Sequence, residues 1–93
     1  MIKSFRDSRT QELFTDGEAR GVPPDLSARA VKKLDLINRA ASVDSLRVSR
    51  GNRLHALAGD RKGQYSVSVN RQWRICFHFV DGHAYDVELC DYH

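Results

Sequence analysis

The spacing of apolar residues changes once along this chain, and that change limits the fold more than any other feature. Between residues 24 and 41 the apolar side chains recur with the helical period of about 3.6 residues. The positions of this stripe are Leu26, Ala30, Leu34, Ile37 and Ala41. After Gly51 the period drops to about two residues, which is typical of strands with one buried face. A helical region followed by strands predicts an α+β domain with an antiparallel sheet.

The same patterns give the order of the predicted elements. A short opening strand is expected over residues 2–5, and a short helix over residues 6–16 is expected to end at Gly17. The long helix is followed by an irregular connection with a short helical turn over residues 42–52. Strands are then predicted at residues 52–57, 64–69, 73–80 and 84–90.

Strand alternation assigns the side chains to two faces of the predicted sheet. One face carries Trp73 and is expected to form the core under the helices. The opposite face is expected to be open, polar and partly basic. It carries Ser66, Ser68, Arg74, Cys76, His78, Asp86, Glu88 and Cys90. Cys76 and Cys90 fall diagonally across neighbouring strands, which is a poor geometry for a disulfide.

The alternation also predicts how the strands pair. A three-residue loop at Asp81-Gly82-His83 gives three apolar cross-strand pairs, whereas a two-residue loop would place Phe77 opposite Asp86. The predicted pairs are Phe79 with Tyr85, Phe77 with Val87 and Ile75 with Leu89. By the same logic, residues 70–72 form the preceding loop. That loop pairs Val69 with Trp73 and Val67 with Ile75.

The composition excludes several classes of protein. With 93 residues, the chain is expected to be one domain over residues 1–93. It has no apolar run of roughly 18–20 residues and no signal-peptide pattern, so a cytoplasmic protein without a membrane partner is expected. The two cysteines and four histidines lack the spacing of a zinc site. Neither a metal nor another cofactor is expected.

The positive charge is concentrated in one stretch of the chain. Residues 47–74 carry seven basic side chains and one acidic side chain, whereas residues 75–93 carry four acidic ones. Most of the basic residues are arginines, which suit bidentate contacts with phosphate. Such a basic segment in a small domain is typical of nucleic-acid binding. The alternative is an ordinary solvated basic surface.

Three short motifs lie in an order that carries more information than any one of them. They are Gly59-Asp60-Arg61-Lys62-Gly63, Trp73-Arg74-Ile75 and the terminal Asp91-Tyr92-His93. Together they resemble the HigB-type toxins of the RelE/ParE superfamily. The resemblance implies a compact RelE-like fold, with an N-terminal strand and two helices on one face of an antiparallel sheet. It also implies a type II toxin that cuts translated mRNA in the ribosomal A site. A HigA-type helix-turn-helix antitoxin would neutralise the toxin in a heterotetrameric complex that binds operator DNA through the antitoxin.

The resemblance assigns roles to particular residues. The predicted catalytic residues are Arg74, Asp91, Tyr92 and His93. Cleavage without a metal uses the 2′-OH of the RNA as nucleophile and needs groups for proton transfer and a cation at the phosphate. His93 would transfer the proton, and Arg74 would clamp the phosphate. Contacts with RNA or the ribosome are expected from Arg50, Arg53, His55, Arg61, Lys62 and Arg71.

Plainer roles stay open for the same residues. Arg74 has Glu88 as a cross-strand alternative partner, Arg61 and Lys62 fit ordinary turn positions, and His93 has the alternative of a frayed chain end. Ala58 stands where some HigB-type toxins carry an active-site lysine. Two alternative functions therefore remain. One is a ParE-like toxin that acts on gyrase, and the other is a catalytically weakened RNA-binding regulator.

Overall fold

Two helices and a four-stranded antiparallel sheet form the part of the chain that the computed structural model describes, residues 1–91. The helices are α1 (Ser8–Asp16) and α2 (Pro24–Arg39), and the strands are β1 (His55–Ala56), β2 (Gln64–Ser68), β3 (Trp73–Val80) and β4 (His83–Asp91). The strands lie side by side in sequence order, and each neighbouring pair is antiparallel. The α+β prediction is therefore confirmed.

Local sequence signals set the ends of both helices. The Asp7 side chain accepts a hydrogen bond of 2.8 Å from the backbone N–H of Thr10 and caps the start of α1. Gly17 ends α1 in the left-handed conformation, at φ 82°. Helix α2 begins at Pro24, whose missing N–H has no cost in a first turn. It ends before Ala40, which is extended, so the prediction of a helix to residue 41 was two residues too long.

The N-terminal segment lies parallel to β4, at the edge of the sheet. Ile2 pairs with Ala84 and Phe5 pairs with Val87 through isolated bridges, so residues 2–5 form a strand-like extension rather than a regular strand. Farther along β4, the Leu89 N–H donates a 2.9 Å hydrogen bond to the Thr10 hydroxyl. The N-terminal segment and α1 therefore both hold β4.

The first predicted strand is much shorter than expected. Residues 52–57 were predicted to be extended, but only His55–Ala56 pair with β2. The chain forms a 3₁₀ turn at Arg50–Asn52, and Arg53 follows at φ 43°. This left-handed residue breaks the extended conformation before β1 begins.

The tip of the β3–β4 hairpin differs from the predicted register. Val80 pairs with His83, so the turn has two residues, Asp81 and Gly82, rather than three. Their φ values of 51° and 82° match a type I′ turn, whose twist suits a hairpin. The preference for this turn outweighed the apolar pairing that predicted the longer loop.

A bulge at Asp86 restores the predicted register in the rest of the hairpin. Asp86 adopts a φ of 53°, and the pairing shifts by one residue between His78 and Cys76. Ile75 therefore faces Leu89 as predicted, and Val67 faces Ile75 across β2 and β3. On the tip side, Tyr85 pairs with His78 and not with Phe79, so its predicted place on the apolar face was wrong.

The core lies between the helices and one face of the sheet. Its fully buried side chains include Leu13, Leu34, Ile37, Ile75 and Phe77. Trp73 is only partly buried at the edge of this core, with the Arg9 guanidinium 5.5 Å from its ring centroid. The prediction of Trp73 as a core residue was therefore only partly right, because Trp73 lies at the border of the core. Within residues 1–91, neither helix has the length and apolar character needed to cross a bilayer.

Candidate active site on the polar face of the sheet

The sheet face opposite the helices carries two rows of polar side chains. Residues that pair directly across strands share a face, so His55, Ser66, Cys76 and Glu88 form one row. Ser68, Arg74 and Cys90 form the next row. The face was expected to be open, yet Ser66 is 0% exposed and Arg74 is 7% exposed. The chain at Arg53 lies against Arg74, so the centre of the face is a packed polar layer, whereas His55 at its margin stays exposed.

Arg74 is held at the centre of this layer by hydrogen bonds. Its Nε donates to the Ser66 hydroxyl at 2.8 Å, and its Nη2 donates to the Ser66 carbonyl at 3.3 Å. The same Nη2 also donates to the carbonyl of Arg53. Because strand β2 and the chain before β1 both fix the guanidinium, its position is set before any ligand binds.

Glu88 is bracketed by two arginines from distant parts of the chain. Arg61 Nη2 lies 2.8 Å from Glu88 Oε1, and Arg6 Nε lies 3.3 Å from Oε2. Among residues 1–91 these two arginines are its ion-pair partners, which corrects the alternative that Arg74 pairs with Glu88. Burial raises the pKa of the Glu88 carboxyl, but hydrogen bonds from Cys90 and Arg61 hold that pKa below its ordinary value. The hydrogen bond that Arg61 donates to Glu88 raises the pKa of Arg61.

A buried amide anchors the segment that carries the Arg53 carbonyl. Asn52 is 3% exposed, and its Oδ1 accepts a 2.7 Å hydrogen bond from Lys33 Nζ of α2. Its Nδ2 donates to the Leu46 carbonyl at 3.0 Å. Burial lowers the pKa of Lys33. Sequence reasoning missed Asn52 as a functional residue, because no local pattern shows that α2 would pack against it.

Besides Arg61, three of the predicted RNA-contacting residues lie near the polar layer. Arg50 and Arg53 are exposed. The backbone carbonyl of Arg53 accepts a hydrogen bond from Arg74, so Arg53 lies directly beside the anchored guanidinium. His55 is exposed on β1, where it pairs with Ser66. Sequence reasoning missed Arg6, which comes to the site only because the N-terminal segment lies along β4.

The other predicted residues are spread over two ends of the sheet. Lys62 is exposed just before β2, whereas Arg71 is exposed in the turn after β2. With a rise of about 3.3 Å per residue, the length of β2 separates them, so the structure does not bring them together. Asp91 lies at the end of β4, opposite Trp73, and accepts a 3.2 Å hydrogen bond from Gln72 Nε2. Tyr92 and His93 lie outside the described residues.

This face combines guanidinium groups with two thiols and a carboxylate. Within the described chain, no three His, Cys, Asp or Glu side chains are arranged to hold a metal ion. The positive groups that meet here are Arg74, Arg61 and Arg6. Guanidinium groups arranged in this way can stabilise negative charge on a phosphate.

The fold matches that of chains in two solved toxin-antitoxin complexes. The YoeB–YefM complex from Staphylococcus aureus contains a chain that superimposes with a TM-score of 0.63 and 16% identity. The match covers 100% of this chain and 98% of that one. A second structure, a heterotetrameric YoeB–YefM toxin-antitoxin complex from the same organism, matches with a TM-score of 0.56. The fold is therefore that of the RelE-like toxins.

Sequence comparison narrows this class to one family. Residues 3–93 match the family described as the RelE-like toxin of type II toxin-antitoxin system HigB. The chain is 39% identical over 93 residues to Endoribonuclease HigB of Proteus vulgaris, with 100% of both covered. It is 32% identical over 90 residues to Toxin HigB-1 of Vibrio cholerae, with 96% of this chain and 95% of the relative covered. The chain belongs to the HigB-like family of type II toxins, as its motifs predicted.

Proposed function

We propose that this chain is an endoribonuclease that cuts translated mRNA in the ribosomal A site. The observation that carries the proposal is the guanidinium of Arg74, fixed on the polar face by Ser66 and by the Arg53 carbonyl. The relationship to a protein named Endoribonuclease HigB supports RNA as the substrate. Exposed cations around the site support a ligand with several phosphates.

In this mechanism Arg74 stabilises the charge that develops on the scissile phosphate. When the 2′-OH of the RNA attacks, negative charge grows on the phosphate oxygens. A cation that is already fixed in place stabilises this charge without reorganising during the reaction. Arg61 lies on the same face and is held by Glu88, so it is suited to a neighbouring phosphate.

The C-terminal residues supply the proton transfers in this proposal. His93 transfers a proton, Tyr92 stacks on a base or assists the transfer, and Asp91 orients a neighbouring group. The hydrogen bond between Gln72 and Asp91 holds the Asp91 carboxylate at the end of β4. These roles follow from the family motif, and no metal takes part in the proposed reaction.

The exposed basic residues serve as contacts to RNA and the ribosome. Arg50, Arg53, His55, Lys62 and Arg71 surround the face from two ends of the sheet. Contacts with phosphates release counterions, so binding through these residues weakens as salt increases. Each contact should therefore affect affinity more than the chemical step.

We also propose a protein partner that neutralises the toxin in the cytoplasm. The related YoeB chains were solved as complexes with YefM, one of them heterotetrameric. For this chain we infer an antitoxin of the HigA type with a helix-turn-helix. The resulting heterotetramer would bind operator DNA through the antitoxin.

The decisive experiment compares a translated mRNA with an untranslated copy. After brief induction of the chain in bacteria, primer extension should show new cuts only in the translated copy. His93→Gln should abolish these cuts, whereas Arg29→Ala, a change of an exposed basic residue on α2 outside the proposed site, should retain them. Growth arrest without cuts would favour a ParE-like action on gyrase. If induction caused neither growth arrest nor cuts, the result would favour a binding module. Ala58→Lys would then be the first variant to test.

A further inference from the structure

Two thiols lie on the polar face beside the anchored arginine. Cys76 pairs with Glu88 and Cys90 pairs with Arg74, so the two cysteines occupy diagonal positions on neighbouring strands, as the register predicted. Both are free thiols, and they are the two cysteines of the chain. Cys76 is buried, at 4% exposure, while Cys90 is partly exposed and gives the pair a route to solvent.

The two thiols interact with each other and with the neighbouring side chains of Glu88 and Arg61. Cys90 Sγ lies 2.9 Å from Glu88 Oε1, a hydrogen bond in which the thiol donates. Interaction with the Cys90 thiol lowers the pKa of Cys76, and the positive charge of Arg61 lowers it further despite burial. The same interaction with Cys76, together with burial, raises the pKa of Cys90. A thiolate beside a retained thiol is the arrangement from which a disulfide forms.

We propose that Cys76 and Cys90 form a dithiol site that a small hydroperoxide oxidises to an intramolecular disulfide. The Cys76 thiolate attacks a peroxide oxygen, so that an S–O bond forms, the O–O bond breaks and, with hydrogen peroxide, the leaving hydroxide takes up a proton as water. The Cys90 sulfur then attacks the Cys76 sulfur of the resulting sulfenic acid. An S–S bond forms, the S–O bond breaks, and the second water carries away the proton of Cys90. Two thiols are oxidised by two electrons, and one hydrogen peroxide is reduced to two waters.

The diagonal position makes this disulfide reversible. Side chains at diagonal positions on antiparallel strands meet at a longer distance than direct partners do, which disfavours a relaxed disulfide. Strained disulfides are reduced more readily than relaxed ones. We therefore expect the dithiol to be the resting state in a reducing compartment and the disulfide to form under oxidant.

Oxidation would also change the ion pair that holds Arg61. The disulfide removes the thiol hydrogen from Cys90, and with it the hydrogen bond to Glu88. Glu88 Oε1 also accepts from Arg61, so the carboxylate that positions this arginine loses one of its donors. An effect of oxidation on RNA cleavage rests on the proposed function, whereas formation of the disulfide does not.

The first test measures the disulfide directly, on the purified full chain treated with hydrogen peroxide. Intact mass under non-reducing conditions should fall by two hydrogen atoms, alkylation by iodoacetamide should be lost at both cysteines, and dithiothreitol should restore both. Cys76→Ser and Cys90→Ser should each abolish this change. Cys90→Ser is the better control for folding, because Cys90 is partly exposed. Peroxide that adds oxygen atoms without joining the two cysteines would overturn the proposal.

The second test measures RNA cleavage by the oxidised and reduced forms. Cleavage should fall after peroxide and return with dithiothreitol. The cleavage rate of a Cys76→Ser/Cys90→Ser variant should not change with either treatment. A disulfide that forms without changing cleavage would overturn the link to Arg61. A reduced protein that forms the disulfide but never cuts RNA would overturn the proposed function and leave the dithiol site supported.

Discussion

The centres of the two faces of the sheet are both buried, but by opposite chemistry. On the helix side, Ile75 and Phe77 are 0% exposed and lie in a core of apolar side chains. On the other side, Ser66 and Arg74 are 0% and 7% exposed and bond to each other and to backbone. The stability gained by burying apolar groups depends on the buried area and tolerates repacking. The stability of buried polar groups depends on each group keeping its hydrogen-bond partner. The polar face therefore tolerates substitutions less well than the core does, and it holds its charges in a fixed arrangement.

The largest difference between the two faces is expected in the stability lost by Phe77→Ala. Removing a fully buried aromatic side chain leaves a cavity in the helix-covered core, at a cost of about 3–5 kcal/mol. Chemical denaturation should report this loss in the free energy of unfolding. Val80→Ala on the same strand is the control, since Val80 is 54% exposed and should change stability by less than about 0.5 kcal/mol. Equal losses in the two variants would contradict the assignment of faces.

On the polar face, Arg74→Ala should cost stability and activity together. It leaves the Ser66 and Arg53 acceptors without this donor, which we expect to destabilise the fold by about 1–3 kcal/mol. Cleavage in the primer-extension assay should be lost. Arg74→Lys keeps the charge but not the planar fork, so it should retain more stability than activity. An Arg74→Ala protein with wild-type cleavage would remove this residue from the site.

Trp73→Ala tests the border between the two faces. Because Trp73 is partly exposed, its removal should cost only about 1–2 kcal/mol, less than full burial of a large side chain would imply. Part of that cost is the loss of the Arg9 contact, so Trp73→Ala and Arg9→Ala should be non-additive in a double-mutant cycle. A loss as large as that of Phe77→Ala would place Trp73 fully in the core.

The smallest expected effect concerns Glu88 and pH. Because its pKa is held below the ordinary value of 4.5, the ionised carboxylate stabilises the fold above about that pH. The stabilisation is lost as pH falls through the folded-state pKa. Glu88→Gln should remove this acid-range dependence at a cost of about 1 kcal/mol or less near neutral pH, since Arg61 and Arg6 are partly exposed. Identical acid denaturation profiles for the two proteins would contradict this.

The β3–β4 hairpin shows how far pattern reasoning reached and where it failed. Alternation correctly paired Ile75 with Leu89, because a slip there would have exposed apolar side chains. It failed at the tip because it assumed one register along the whole strand. The Asp81-Gly82 turn and the bulge at Asp86 satisfy both the turn geometry and the core. A bulge has no signature in binary patterning, so only the folded backbone revealed it.

For the candidate site, the sequence indicated some of the individual residues but not their arrangement. Motif order identified Arg74 and Arg61, and alternation placed Glu88 on the same face as Arg74. The pairing of Glu88 with Arg61 and Arg6 was not predictable. It joins residues that are 27 and 82 positions apart in the sequence. Contacts of this kind depend on which elements pack together, not on local spacing.

By itself, the sequence determined the fold class, the long helix, most of the strand faces and the family. These follow from periodicity, capping residues and motif order, all of which act over short distances along the chain. The tertiary structure decided that the centre of the polar face is buried and that Arg74 is anchored by β2 and by the chain at Arg53. Burial and hydrogen-bond partners depend on groups brought together from distant positions. A guanidinium has the same formula on an open surface and in a packed layer, and only its neighbours distinguish the two.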